Sequence, residues 1–152
     1  MEDNKLKLDQ QVCFPIYSAS RLITKAYKPF LDELGITYPQ YLVLMVLWEK
    51  DNISVNYIAE KLFLNTNTIS PLLKRMEKMG NIERNRSLKD ERIVNIKLTK
   101  NGSNLKEKAL PIPSKLVHIL SNENIELNEI IQLKDKLNEW IEILSKNNDQ
   151  SN

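Results

Sequence analysis

The sequence predicts a mainly α-helical protein carrying a small β-hairpin, a winged helix-turn-helix with long helices at both ends. Three observations lead there. Residues 54–92 read in unbroken order as helix, turn, helix and a charged hairpin. The segment just before them is apolar almost all round, as a central buried helix must be. Both ends of the chain repeat apolar residues at three-four spacing, the pattern of helices that pack along a partner. A length of 152 residues with 41% hydrophobic content suits one domain with its own core.

From Leu6 to about Leu34, Val12, Ile16, Ala19, Leu22, Ile23, Ala26 and Phe30 recur on one helical face. Pro15 interrupts this helix, because its ring removes the bond to Gln11 and crowds that carbonyl, so the helix should kink or restart there. Two consequences stay open. Pro15 moves Cys13 toward a helix N-terminus, where the helix dipole favours negative charge, or it displaces Cys13 from a pocket. Pro29 is a second candidate bend, and Gly35 closes the segment.

Thr37 and Gln40 have capping-box spacing, which predicts a helix from Tyr38 to about Trp48. Ser54 can cap a next helix whose inward face is Val55, Ile58, Ala59 and Leu62. After the turn 63–67, a second helix runs through Lys78, with Ile69, Leu72, Leu73, Met76 and Met79 as its buried stripe and Gly80 ending it at a left-handed position. Pro71 lies in or just beyond the first turn, so this helix should start between Asn65 and Thr68.

The outer face of that helix carries Thr66, Asn67, Thr68 and Ser70, then Lys74, Arg75 and Lys78. Short polar groups at the N-terminal end and cations beyond them suit a helix that enters a DNA major groove N-terminus first. Ile82 to Arg84 and Ile93 to Leu98 read as two strands around a basic loop, 85–92, sized as a wing that contains Arg86, Lys89, Asp90 and Arg92. Thr99 can cap a helix that passes Lys106 and Ala109, with Pro111 and Pro113 bending or breaking it. A last helix over about 127–144 repeats Ile130, Leu133, Leu137, Trp140 and Leu144, and 147–152 is a polar tail expected to fray.

Net charge is only +2, but it is polarised. Residues 66–92 hold seven Lys and Arg against four acids, while 121–152 hold three Lys against seven. One cysteine excludes an internal disulfide, and one histidine excludes a Cys/His metal cluster within a subunit. Three glycines with no phosphate-cradling loop argue against a nucleotide-binding enzyme, so neither metal nor cofactor is expected. No apolar run nears membrane length, and the polar start Met1-Glu2-Asp3-Asn4-Lys5 lacks a signal-like core. These features predict a cytoplasmic protein with no membrane partner.

The run Pro71-Leu72-Leu73-Lys74-Arg75-Met76-Glu77, followed by Asp90-Glu91-Arg92 and a strand ending in Leu98-Thr99, resembles the MarR family of bacterial transcriptional regulators. Together with Cys13-Phe14, Tyr17, Tyr27-Lys28-Pro29 and Thr37-Tyr38-Pro39-Gln40-Tyr41, it resembles the one-cysteine organic hydroperoxide resistance regulators within that family. The similarity spans roughly Leu6 to Ile112 and is weak in the last helix.

The resemblance implies one MarR-type domain over 1–152, with a DNA-binding winged region at 36–100 and dimerisation helices at 6–34 and 100–146. Two winged regions held by a homodimer would read adjacent half-sites of a pseudo-palindromic double-stranded operator about one DNA turn apart. Asp90 and Arg92 match the family's wing tip, where an acid positions an arginine in the minor groove, and Arg86 and Lys89 would touch phosphates. Asn65-Thr66-Asn67 stands where this branch usually has an acid, a serine and a glycine, so the preferred operator should differ from that of close relatives.

A lone Cys on an apolar helix face is usually a small buried hydrophobe. Cys13 nevertheless falls where the hydroperoxide regulators carry their sensing thiol, with Tyr17 one turn on and Tyr27 and Tyr38 matching tyrosines that reach the thiol across the dimer interface. The implied function is a repressor whose Cys13 is oxidised by an organic hydroperoxide, condenses with a small thiol and releases DNA. Three other readings stay open: a broader redox-responsive regulator, a regulator of the same fold answering to a phenolic ligand, and a thiol peroxidase turning over on Cys13.

Overall fold

The computed structural model describes residues 3–87, 90, 92–121 and 125–149. Two short 3₁₀ turns, Asp3–Leu6 and Leu8–Gln10, come first. Then follow α1 (Cys13–Asp32), α2 (Tyr38–Glu49), β1 (Ile53–Ser54), α3 (Val55–Lys61), α4 (Thr66–Lys78), β2 (Ile82–Arg86), β3 (Val94–Leu98), α5 (Lys100–Ala109), α6 (Ile112–Leu120) and α7 (Leu127–Asp149).

The first helix does not begin at Leu6 as the apolar spacing predicts. It begins at Cys13, which puts Pro15 in the third helical position, where a missing N–H forfeits no intrahelical bond. A helix continuous from Leu6 would have lost its bond at that point, so the chain restarts there rather than kinking. Pro29 sits inside α1 without ending it. Gly35 closes the segment at φ +67°, and Gln40 Oε1 accepts the Thr37 N–H at 2.8 Å to start α2. Tyr41, Val43, Leu44 and Leu47 of α2 are buried, as the all-round apolar pattern requires.

Ser54 caps α3 by accepting the Tyr57 N–H at 3.1 Å, and Ile58 and Ala59 are buried beneath it. The chain turns through Phe63 at φ +52°, uncommon for an aromatic residue, and enters α4 at Asn65. Ile69, Leu72, Leu73 and Met76 are buried, but Met79 is 43% exposed. It follows the last residue of α4, beyond the reach of the buried stripe, and its sulfur instead accepts a bond from Gln40 Nε2 at 3.3 Å.

The wing sheet has three antiparallel strands in the order β1-β3-β2, not two. Ile53 pairs with Ile96 and Ser54 with Asn95, a two-residue strand too short to show alternation. β2 also reaches Arg86, opposite Val94, so Asn85 and Arg86 lie in the strand rather than in the loop. Of 85–92, Leu88, Lys89 and Glu91 fall outside the described residues.

Residues 99–102 are tied to Gly80 and Asn81 at the exit of α4. Thr99 Oγ1 donates to the Gly80 carbonyl at 2.7 Å and accepts the Gly102 N–H at 3.0 Å. Asn101 Nδ2 donates to Asn81 Oδ1 at 2.7 Å, and Trp48 Nε1 of α2 donates to the Gly102 carbonyl at 3.0 Å.

The chain divides into two units at Leu110 and Pro111. In the second, Pro111 caps α6 and Pro113 lies in its first turn, so these prolines open a helix as well as ending the one before. α7 runs to Asp149, past the expected end near Leu144, which makes the first residues of the expected polar tail helical. Leu127, Ile131, Leu133, Ile141, Ile143 and Leu144 along it are all exposed.

A Cβ at position 102 would lie 2.0 Å from the Asn81 carbonyl oxygen, an approach that backbone atoms cannot relieve without movement. Gly102→Ala is expected to destabilise the protein by about 3 kcal/mol, as overpacking against fixed backbone does. Urea unfolding of the two proteins followed by circular dichroism checks it.

Candidate nucleic-acid interface and thiol site

The N-terminal turn of α4 is organised by Asn65. Its Oδ1 accepts both the backbone N–H and the hydroxyl of Thr68 at 2.9 Å, which pins the Thr68 side chain to the cap. Thr66 and Asn67 are exposed with it, Ser70 is half-buried, and Lys74, Arg75 and Lys78 are exposed further along. The polar-then-cationic outer face expected of this helix is thus the face presented to solvent.

In the wing, Arg92 is held by Asp90. Its backbone N–H donates to Oδ1 at 3.0 Å, Nε to Oδ1 at 3.1 Å and Nη2 to Oδ2 at 3.1 Å. These bonds hold the Asp90 carboxyl below its usual range, while the Arg92 side chain remains 91% exposed. An exposed arginine braced by a carboxylate is a probe held out from the wing. Arg86 is exposed at the end of β2, and Lys89 lies outside the described residues.

Thr66 and Ser70 of α4 share a recess of about 190 Å³ with Arg92 and with Arg84. In the sequence Arg84 stands out only as a strand residue and a basic charge. Strand alternation was the available signal, since Arg84 is two residues from buried Ile82 and shares its face.

Cys13 is the first residue of α1 and is exposed, not the buried hydrophobe a lone cysteine usually is. Tyr17, one turn on, has its hydroxyl bonded by Arg21 Nη1 at 3.3 Å, and the guanidinium lies over the same ring at 5.6 Å. Tyr27 and Tyr38 come together, with ring centroids 4.8 Å apart. The thiol is not with them. Cys13 and Tyr27 lie on one continuous helix fourteen positions apart, or about 21 Å at 1.5 Å per residue.

A third ring, Tyr41, completes the cluster at 5.9 Å from Tyr27 and 6.4 Å from Tyr38. The sequence reading cited it only within the family motif, although its three-residue spacing from Tyr38 places both on one helix face. Tyr41 also meets Trp48 edge-on at 6.1 Å. Burial, then the neighbouring Tyr38 and Tyr41, push the Tyr27 phenol up to about 12. Burial raises Tyr38, and burial followed by Tyr38 raises Tyr41. All three therefore stay protonated donors across the physiological range.

A phenol raised on folding keeps its proton after the unfolded chain has lost it, so its contribution is complete below pH 10 and disappears as pH rises toward about 12. Phenolate absorbance of the folded protein is expected to show a late component near pH 12 that Tyr27→Phe removes.

The family profile described as transcriptional regulator SarA/Rot matches residues 25–109. An organic hydroperoxide resistance transcriptional regulator of Bacillus subtilis is 46% identical over 143 residues, covering 94% of this chain and 95% of its own. The regulator SarZ of Staphylococcus saprophyticus is 33% identical, over 93% of this chain and 94% of its own. A solved structure of reduced AbfR bound to DNA aligns with a TM-score of 0.78 at 34% identity, covering 95% of this chain and 99% of that one. AbfR is a protein of Staphylococcus epidermidis. The likeness runs almost end to end and joins regulators that share the winged helix-turn-helix described above, so this protein belongs to the MarR-type transcriptional regulators, in the group that holds the organic hydroperoxide resistance regulators and SarZ, and is not an enzyme.

Proposed function

We propose that the protein is a homodimeric repressor that binds a pseudo-palindromic double-stranded operator and leaves it when an organic hydroperoxide oxidises Cys13. The observation that carries this reading is the separation of the thiol at the start of α1 from Tyr27 further along it and from Tyr38 beside Tyr27, while Val12 before α1 and Ile16 and Leu22 on it are exposed. A second copy laid along that face would bring its own Cys13 to this chain's tyrosines. The exposed apolar residues of α7 favour the same assembly, and 6–34 with 100–146 would hold the dimer. The names of the Bacillus subtilis and Staphylococcus epidermidis relatives support the effector and the DNA partner.

In the dimer, α4 enters the major groove with Thr66, Asn67, Thr68 and Ser70 at base edges, Lys74 and Arg75 lie toward phosphates, and Arg92 enters the minor groove. Arg86 and Lys89 add backbone contacts. For sensing, the Cys13 thiolate attacks the outer peroxide oxygen. An S–O bond forms, the O–O bond breaks, and the organic fragment takes a proton and leaves as an alcohol. A small cellular thiol then attacks the sulfenic sulfur, expels water and leaves a mixed disulfide. That adduct is too large to sit against Tyr27 and Tyr38, so the subunits shift and the two α4 helices lose their half-site spacing.

One observation favours a second reading, in which a small phenolic or carboxylate ligand triggers release. A cavity of about 660 Å³ beside Tyr38 has Leu22, Leu31 and Ile36 as apolar lining and Arg21 and Lys25 as cations.

Fluorescence anisotropy on a duplex selected by the protein from a random pool separates the two. Cumene hydroperoxide with a small thiol is expected to release wild type and leave Cys13→Ser bound. Release of both proteins by salicylate, with no response to peroxide, would replace the sensing route with the ligand route. Sedimentation at micromolar concentration is expected to give a dimer, and monomer alone would contradict the assembly.

A further inference from the structure

We propose that the recess between α4 and the wing is a seat for one backbone phosphate of bound DNA, with the Arg84 guanidinium as its cation. The proposal rests on the DNA-binding reading above and adds a residue outside the outer face of α4 and the wing tip.

Arg84 points inward because β2 alternates and its neighbour two residues back, Ile82, is in the core. An inward arginine normally finds partners for its donors, since a buried unpaired N–H of a charged group is costly. This one does not. Its Nε–H is buried with no hydrogen-bond partner. The ion pair that the structure gives it, to Glu77, spans 3.7 Å, too long for a hydrogen bond, and the Glu77 side chain is itself 43% exposed. A guanidinium left this way presents planar donors that match two oxygens of a phosphate.

The recess it lines supplies the rest of a phosphate site. Its volume is about 190 Å³, and Ser54, Asn56, Thr66 and Ser70 line it beside Arg84 and Arg92. The hydroxyls and the amide can donate to phosphate oxygens, and among the described residues no carboxylate lines the recess.

The geometry of the duplex points to the same place. If α4 lies in a major groove and Arg92 enters the adjacent minor groove, one sugar-phosphate strand separates the two grooves. That strand must cross the protein surface between α4 and the wing, which is where this recess lies. Arg84 would then fix the depth and register of the reading helix without reading sequence itself.

The test is a salt titration of the full-length chain on two duplexes, one selected by wild type from a random pool and one of unrelated sequence. Arg84→Gln is expected to bind both about tenfold more weakly, since charged hydrogen bonds are lost. The slope of log K against log salt should become shallower by about 0.9 per bound subunit. The ratio between the two duplexes should not change, and Arg84→Lys should keep the wild-type slope. A second measurement needs no variant to fold: a neutral methylphosphonate walked along the selected duplex should weaken wild type at a phosphate flanked by the two grooves, and should not weaken Arg84→Gln further there.

Wild type binding both duplexes while Arg84→Gln retains the full slope, or wild type indifferent to methylphosphonate at every such position, would overturn the phosphate seat and leave DNA binding standing. Wild type binding neither duplex would overturn DNA binding, and the seat with it.

Discussion

The close approach of Gly102 to the Asn81 carbonyl is the constraint on which the arrangement of the winged region depends. Asn81 is 2% exposed and sits where α4 hands over to β2. Its N–H donates to Met76 and its carbonyl accepts from Thr99, while its side chain holds Asn101. Gly102 can lie against that carbonyl only because it has no Cβ. Trp48 then bonds the Gly102 carbonyl from α2. One small volume therefore fixes the exit of α4, the root of the wing, the start of α5 and the end of α2 relative to one another. This joint therefore sets the distance between α4 and the wing.

Trp48 also belongs to the ring chain Tyr27, Tyr38, Tyr41 and Trp48. These tyrosines are thus packed side chain to side chain as far as the joint that positions α4. Polar contacts run beside them, since Gln40 bonds Thr37 at the start of α2 and Met79 at the end of α4. A disturbance at Tyr38 meets close-packed neighbours rather than solvent, and close-packed groups shift together rather than deform singly. Raised phenols suit this position, because a neutral donor can be buried against other rings at far lower cost than a phenolate.

Charge is unevenly divided along the same chain. The exposed cations of α4 and the braced Arg92 lie in a stretch with a basic surplus, whereas an acidic surplus falls from Ser121 onward. Arg84 belongs to that basic stretch in a different way, as a cation turned inward and left short of partners.

The sequence by itself determined the order of the elements, the caps at Thr37, Ser54 and Thr99, the stop at Gly35, the left-handed stop at Gly80, and the buried stripe of α4 from Ile69 to Met76. Each depends on residues within a turn or two of one another, where periodicity and capping chemistry are readable. The outer face of α4 was legible for the same reason, and the pairing of Asp90 with Arg92 came from the resemblance to the family's wing tip. Only the tertiary structure decided the third strand at Ile53, the exposure of Met79 and the start of α1 at Cys13, because these turn on distant backbone partners or on which of two local solutions the rest of the fold accepts. It alone brought Tyr41 to Tyr27, Trp48 to Gly102 and Arg84 beneath α4. Such contacts join residues far apart in the chain, and local spacing carries no record of which distant side chain or backbone a group will meet.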